Sequence, residues 1–157
     1  MDVFLMFIQK YRKQLGIGVL SIISLLSFAN YLQKKKVFLS FAIEDSNIRD
    51  LMIGQAENKR VPFEFIDMSL KEPFSNAWKT QCREKIKACD GVIALLSKKT
   101  RRAEGARWEI KCAIEEGIPI IGVHAHKGNK GAVPSELEGK IVIDWDWDLI
   151  SKFVNSI

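Results

Sequence analysis

The stretch that decides the fold runs from Gly91 to Val123. It opens as Gly91-Val-Ile-Ala-Leu-Leu-Ser97 and closes as Ile118-Pro-Ile-Ile-Gly-Val123. Between them lies Arg107-Trp-Glu-Ile-Lys-Cys-Ala-Ile-Glu-Glu-Gly117. Two apolar runs of strand length around a helix-length segment mark a βαβ unit in a parallel sheet. Both runs are near-continuously apolar, as strands buried on two faces should be. Ligands of such sheets sit at the carboxyl ends of the strands. Glu109 lies early in the helix that follows one such end, which makes it a candidate for chemistry there. The alternative is a carboxylate that only complements the helix dipole.

Working outward, Val37–Phe41 is a short β-prone run. Glu44-Asp45-Ser46 offers a helix start ahead of Ile48, Leu51 and Met52, which recur at helical spacing. Phe63–Ile66 reads as a second strand, Asp67–Ser75 as a loop, and Ala77–Cys89 as a helix capped by Ser75 or Asn76. Gly91–Leu96 is the third strand. Ala103–Glu116 is the next helix, stopped by Gly117 and Pro119. Ile118–Val123 is the fourth strand, Ile141–Ile143 a fifth, and Trp147–Asn155 a closing helix. Strand and helix alternate throughout. The expected fold is therefore a flavodoxin-like, doubly wound, five-stranded parallel sheet in the order 2-1-3-4-5.

The N-terminus carries a different signal. Leu15–Leu32 contains no charged residue, and as a helix it would extend roughly 27 Å, close to the apolar thickness of a bilayer. Lys10, Arg12 and Lys13 precede it, and Lys34, Lys35 and Lys36 follow. A single-pass membrane anchor with a cytosolic domain is the expectation, dividing the chain into residues 1–35 (anchor) and 36–157 (domain). A cleaved signal peptide ending near Ala29 and a buried core helix are the alternatives.

The formal charge is +5, but six of the positive residues are the flanks just named. The basic balance therefore points to a membrane surface and not to nucleic acid. Cys82, Cys89 and Cys112 form no CxxC pair, and no histidine stands at metal-ligand spacing. They read as small buried hydrophobes of a reducing compartment, with no metal site.

Four of these segments together resemble the Toll/interleukin-1 receptor (TIR) family. Val37–Phe41 with Glu44-Asp45 resembles its opening box, and Cys89–Ser97 its central strand. Trp108-Glu109-Ile110, Ala113 and Gly117–Val123 resemble the helix and strand that follow. The loop Asp67–Pro73 and the segment ending in Trp78 are similar to the TIR-like branch of bacterial Thoeris antiphage systems. The resemblance implies cleavage of the nicotinamide–ribose bond of NAD, as substrate and without a further cofactor, with Glu109 as the catalytic carboxylate. It also implies substrate contacts at Ser40, Phe41, Asp67, Ser97 and Trp108. The residues alone leave Phe41 open as a core residue and Asp67 and Ser97 as turn residues.

The resemblance departs at Gly105, where many active relatives carry an aromatic side chain. Two readings follow from it. One is a membrane-tethered NAD glycohydrolase or cyclase that makes an ADP-ribose-derived signal, assembles with other TIR-like subunits, and acts on an ADP-ribose-sensing effector. The other is a non-catalytic TIR-like adaptor or sensor. A flavodoxin-like or receiver-type domain fits less well, since the first strand is followed by no phosphate-binding glycine loop and no acidic pair marks a receiver site.

Overall fold

Strand β3 (Gly91–Leu96) has all six residues buried, and the rest of the sheet is laid down on either side of it. The computed structural model describes residues 34–58, 63–66 and 76–157. Leu15–Leu32 and Asp67 lie outside the described residues. Among the described residues, no helix is long and apolar enough to cross a membrane. Lys35–Ile157 forms a compact unit of its own.

The remaining strands are β1 (Lys35–Ser40), β2 (Phe63–Ile66), β4 (Ile120–His124) and β5 (Val142–Asp144). All four pairings are parallel, in the order β2-β1-β3-β4-β5. The helices are α1 (Ser46–Asn58), α2 (Asn76–Lys87), α3 (Glu104–Glu115) and α4 (Trp147–Ser156). The expected topology is the observed one, and each boundary moves by at most two or three residues. Short 3-10 turns at Ile43–Asp45, Thr100–Arg102 and Ser135–Leu137 were not expected from the apolar pattern. They contain polar and charged residues, and a single turn has too few residues to show a helical period.

Period-two alternation sorts the strand side chains onto two faces. Phe38, Val92, Ala94, Leu96 and Ile120 pack with Trp78, Cys82 and Ile86 of α2 and Ile110 and Ala113 of α3. Val37, Leu39, Ile93, Leu95, Ile121 and Val123 pack with Ile48 and Met52 of α1 and Ile150 and Val154 of α4. Even-numbered strand residues thus face α2 and α3, and odd-numbered ones face α1 and α4. At about 1.5–3 kcal/mol for each large apolar side chain removed from water, these two layers are the main source of stability.

Helix α3 stops where its sequence says it should. Gly117 takes φ +70°, a left-handed conformation that a side chain disfavours, and Ile118 N bonds back to Ala113 O at 2.9 Å. That turn delivers the chain into β4. Asp146 caps α4, its carboxylate accepting from Asp148 N (2.9 Å) and Leu149 N (3.1 Å).

Candidate active site

Strand order reverses between β1 and β3, and the crevice beyond their carboxyl ends is where a doubly wound sheet takes its ligands. Ser40 ends β1 there. As an even-numbered residue it faces α3, and its Oγ donates to the Ala106 carbonyl at 3.3 Å. This bond ties the end of β1 to the first turn of α3. Glu109 follows one turn later.

Glu109 is 7% exposed and lies on the seam between α3 and α2. Cys82 of α2 places its Sγ 3.9 Å from Glu109 Oε1, a long, weak S–H contact. Burial, and then the nearby Glu109 charge, push the Cys82 thiol far above its ordinary range. The thiol therefore stays protonated and keeps its donor turned to the carboxylate.

Aromatic rings continue the seam. Trp78, one turn before Cys82, meets Trp108 with ring centroids 5.3 Å apart and planes tilted by 52°. Arg83 lies 5.7 Å from the Trp108 centroid, and it pairs with Glu115 at 2.9 Å and also with Glu116. Helix α2 is thus clamped onto α3 from both ends of the Glu109 turn. The arrangement presents a buried carboxylate on a seam that also holds two indole rings, and a fixed carboxylate is suited to stabilising a cation that develops next to it.

Ser97 and Phe41 go elsewhere. Both are odd-numbered, and both turn to the α1 side. Ser97 Oγ donates to Asp45 Oδ2 and accepts from Lys99 N at 2.9 Å. Lys99 Nζ in turn holds Asp45 Oδ1 at 2.9 Å. Asp45 is only 4% exposed, so this network is an internal brace between the turns after β1 and β3. Phe41 packs against the α1–α4 core with the Arg49 guanidinium 5.2 Å from its ring centroid.

The structure therefore brings Ser40, Trp108 and Glu109 to one side of the sheet and places Phe41 and Ser97 on the other. Sequence reasoning missed Cys82 as the neighbour of Glu109. The signal that could have found it is the spacing of Trp78, Cys82 and Ile86 along one helical face, whereas Cys82 read only as a small buried hydrophobe. It also missed Asp45 as the acceptor for Ser97, because an acidic residue before a helix is first read as a cap.

The model for the TIR-like domain of the Thoeris protein ThsB matches residues 38–130, more than half of the chain. This chain belongs to that family. The matched span of this ThsB-type TIR-like domain runs from β1 through the loop after β4, and it contains every candidate residue named above. Strand β5 and helix α4 lie outside it. Among solved structures, the TIR domains in the activated Roq1 resistosome directly recognizing the pathogen effector XopQ are similar, at 16% identity and a TM-score of 0.45. The likeness covers 58% of this chain and 57% of that one, so this chain spans little more than half of its neighbour's length. Comparison with curated proteins gave no match.

Proposed function

We propose that this ThsB-type TIR-like domain cleaves the nicotinamide–ribose bond of NAD in antiviral defence, with Glu109 as the catalytic carboxylate. The observation that carries the reading is the burial of Glu109 on the α2–α3 seam, one turn beyond the Ser40–Ala106 contact. When the C–N bond of the nicotinamide riboside breaks, its electron pair leaves with nicotinamide and positive charge spreads over the ribose ring. A fixed carboxylate in a water-poor setting stabilises that charge more than it stabilises the ground state. Attack by water then yields ADP-ribose and a proton, and attack by a hydroxyl of the same molecule yields a cyclic product. Ser40, Asp67 and Trp108 are proposed to line the substrate, with Phe41 and Ser97 bracing the crevice from behind. In this reading, activity follows assembly with other TIR-like subunits, the product is a signal for an ADP-ribose-sensing effector, and Leu15–Leu32 tethers the chain to a membrane.

A second reading is favoured by one feature. Gly105 offers no ring one turn before Glu109, and Trp108, its neighbour in sequence, is already engaged by Trp78 and Arg83. In that reading the domain is an adaptor that recruits other TIR-like subunits. Nicotinamide release by wild-type protein and by Glu109→Gln, assayed at concentrations that permit assembly, separates the two. Release that depends on Glu109 supports the enzyme. Antiphage protection that persists without any nicotinamide release supports the adaptor.

A further inference from the structure

The described arginines fall into two groups. Arg49 pairs with Asp50 at 2.8 Å, Arg83 with Glu115 and Glu116, and Arg107 with Glu136 at 2.7 Å. Arg101 and Arg102 have no ion-pair partner among the described residues, and both are exposed. They line one open cleft with Lys98, Lys130, Gly131 and Ala132. No carboxylate contributes to that lining. Outside the lining, Asp144 holds Lys130 at 2.5 Å.

The cleft is set by internal bonds. Ser97 N donates to Thr100 Oγ1 at 2.9 Å, and Thr100 Oγ1 donates to Leu95 O at 3.1 Å, fixing the turn that carries Lys98, Arg101 and Arg102. Lys99, the other cation of this segment, is engaged by Asp45 and by the Glu44 carbonyl at 2.9 Å. From the loop after β4, Gly131 meets this turn backbone to backbone. A Cβ at Gly131 would stand 1.9 Å from Ser97 O and 2.7 Å from Lys98 N. Holding four cations around one cleft raises the electrostatic energy of the fold, and a bound polyanion lowers it. Guanidinium forks suit phosphate oxygens in particular. The volume, about 800 Å³, lies in the range of small-molecule sites.

We propose that this cleft binds the phosphate groups of a small polyphosphate-bearing ligand, either a free polyphosphate or a nucleoside di- or triphosphate. It is a second site, independent of the NAD reading. Arg107 and Glu109 stand two residues apart on α3, about 200° around the helix. Arg107 reaches Glu136 and lines a smaller recess that shares Arg101 and Ala132 with the cleft, whereas Glu109 meets α2.

Calorimetric titration of full-length protein with inorganic tripolyphosphate, ADP and adenosine tests the site. Tripolyphosphate and ADP are expected to bind and adenosine not. Tripolyphosphate at least as tight as ADP identifies a polyphosphate ligand, and ADP clearly tighter identifies a nucleotide. The double variant Arg101→Gln, Arg102→Gln should weaken binding by about tenfold or more while leaving the melting temperature unchanged. Glu109→Gln should bind both probes as wild type does, whatever its effect on NAD. No binding of either probe at millimolar concentration, wild-type affinity in the double variant, or loss of binding in Glu109→Gln would each overturn the proposal. So would retention of a DNA oligonucleotide by protein that ignores tripolyphosphate.

Discussion

Cys82 Sγ on α2 stands 3.9 Å from Glu109 Oε1 on α3, so the candidate carboxylate lies between two helices and is not bare at the rim of the sheet. The thiol is one of its neighbours, and any substrate that reaches Glu109 enters the seam that holds Cys82, Trp78 and Trp108.

Glu109→Gln should lower nicotinamide release by about 10²–10³ with little change in melting temperature, since it removes charge but hardly alters volume. Glu115→Gln is the control. It gives up solvent-screened ion pairs with Arg83 and Lys111, which contribute little at a protein surface, and should keep most activity. Wild-type turnover in Glu109→Gln would remove Glu109 from the chemistry.

The Cys82 thiol should resist alkylation in the folded protein. Its raised pKa keeps the reactive thiolate scarce, and its side chain is fully buried. The sign of the pH effect follows. An unfolded thiol ionises near its ordinary value while the folded one holds its proton, so stability falls as pH rises through and above about 9. Iodoacetamide labelling at pH 8.5, mapped by mass spectrometry, checks this. A Cys82 rate within about tenfold of that in urea-unfolded chain would contradict the buried assignment.

Ser97→Ala should lower stability by about 1–3 kcal/mol, because the buried Asp45 carboxylate loses the hydroxyl that donates to it. Asp45→Ala and Ser97→Ala should be non-additive in a double-mutant cycle of chemical denaturation, as members of one network are. If Ser97→Ala instead raises KM for NAD with stability intact, Ser97 contacts substrate.

Gly131→Ala should loosen the two turns that meet there. The backbone of Ser97 cannot retreat without breaking the bonds that hold β3 to Thr100, so a lower melting temperature and weaker tripolyphosphate binding should appear together. Unchanged values for both would show that the close approach is relieved at little energy.

Full-length protein should fractionate with membranes and resist carbonate extraction, given the uncharged Leu15–Leu32. A chain beginning at Lys36 should be soluble and folded, since both core layers lie beyond that point. Recovery of full-length protein in the soluble fraction would argue against the anchor.

Much of this fold was legible because its strands are buried on both faces. Val92–Leu96 and Ile120–Val123 carry too few polar residues to be anything but central strands, and Gly117 marks its helix end by conformation alone. The side of the sheet to which each candidate points was harder to read. Ser40 and Ser97 look alike as strand-end hydroxyls, and their divergence follows from strand parity, which becomes visible only once register is known. Cys82 was hidden for a different reason. Its contact with Glu109 joins residues 27 apart through helix packing, and no local pattern encodes the angle at which two helices meet.

The even–odd sorting of the strands also sets what kinds of length change the chain can absorb. Deleting Val37 from β1 would carry Ser40 across the sheet, away from Ala106 and towards α1, and would turn the aromatic ring of Phe38 out of its layer in the same stroke. The turns after the strands, where loop length is cheap, tolerate such slips far better. Lineages of this fold should therefore differ in loop length and keep a fixed phase inside each strand, so that a hydroxyl at the end of β1 stays on the α3 side however the connections drift.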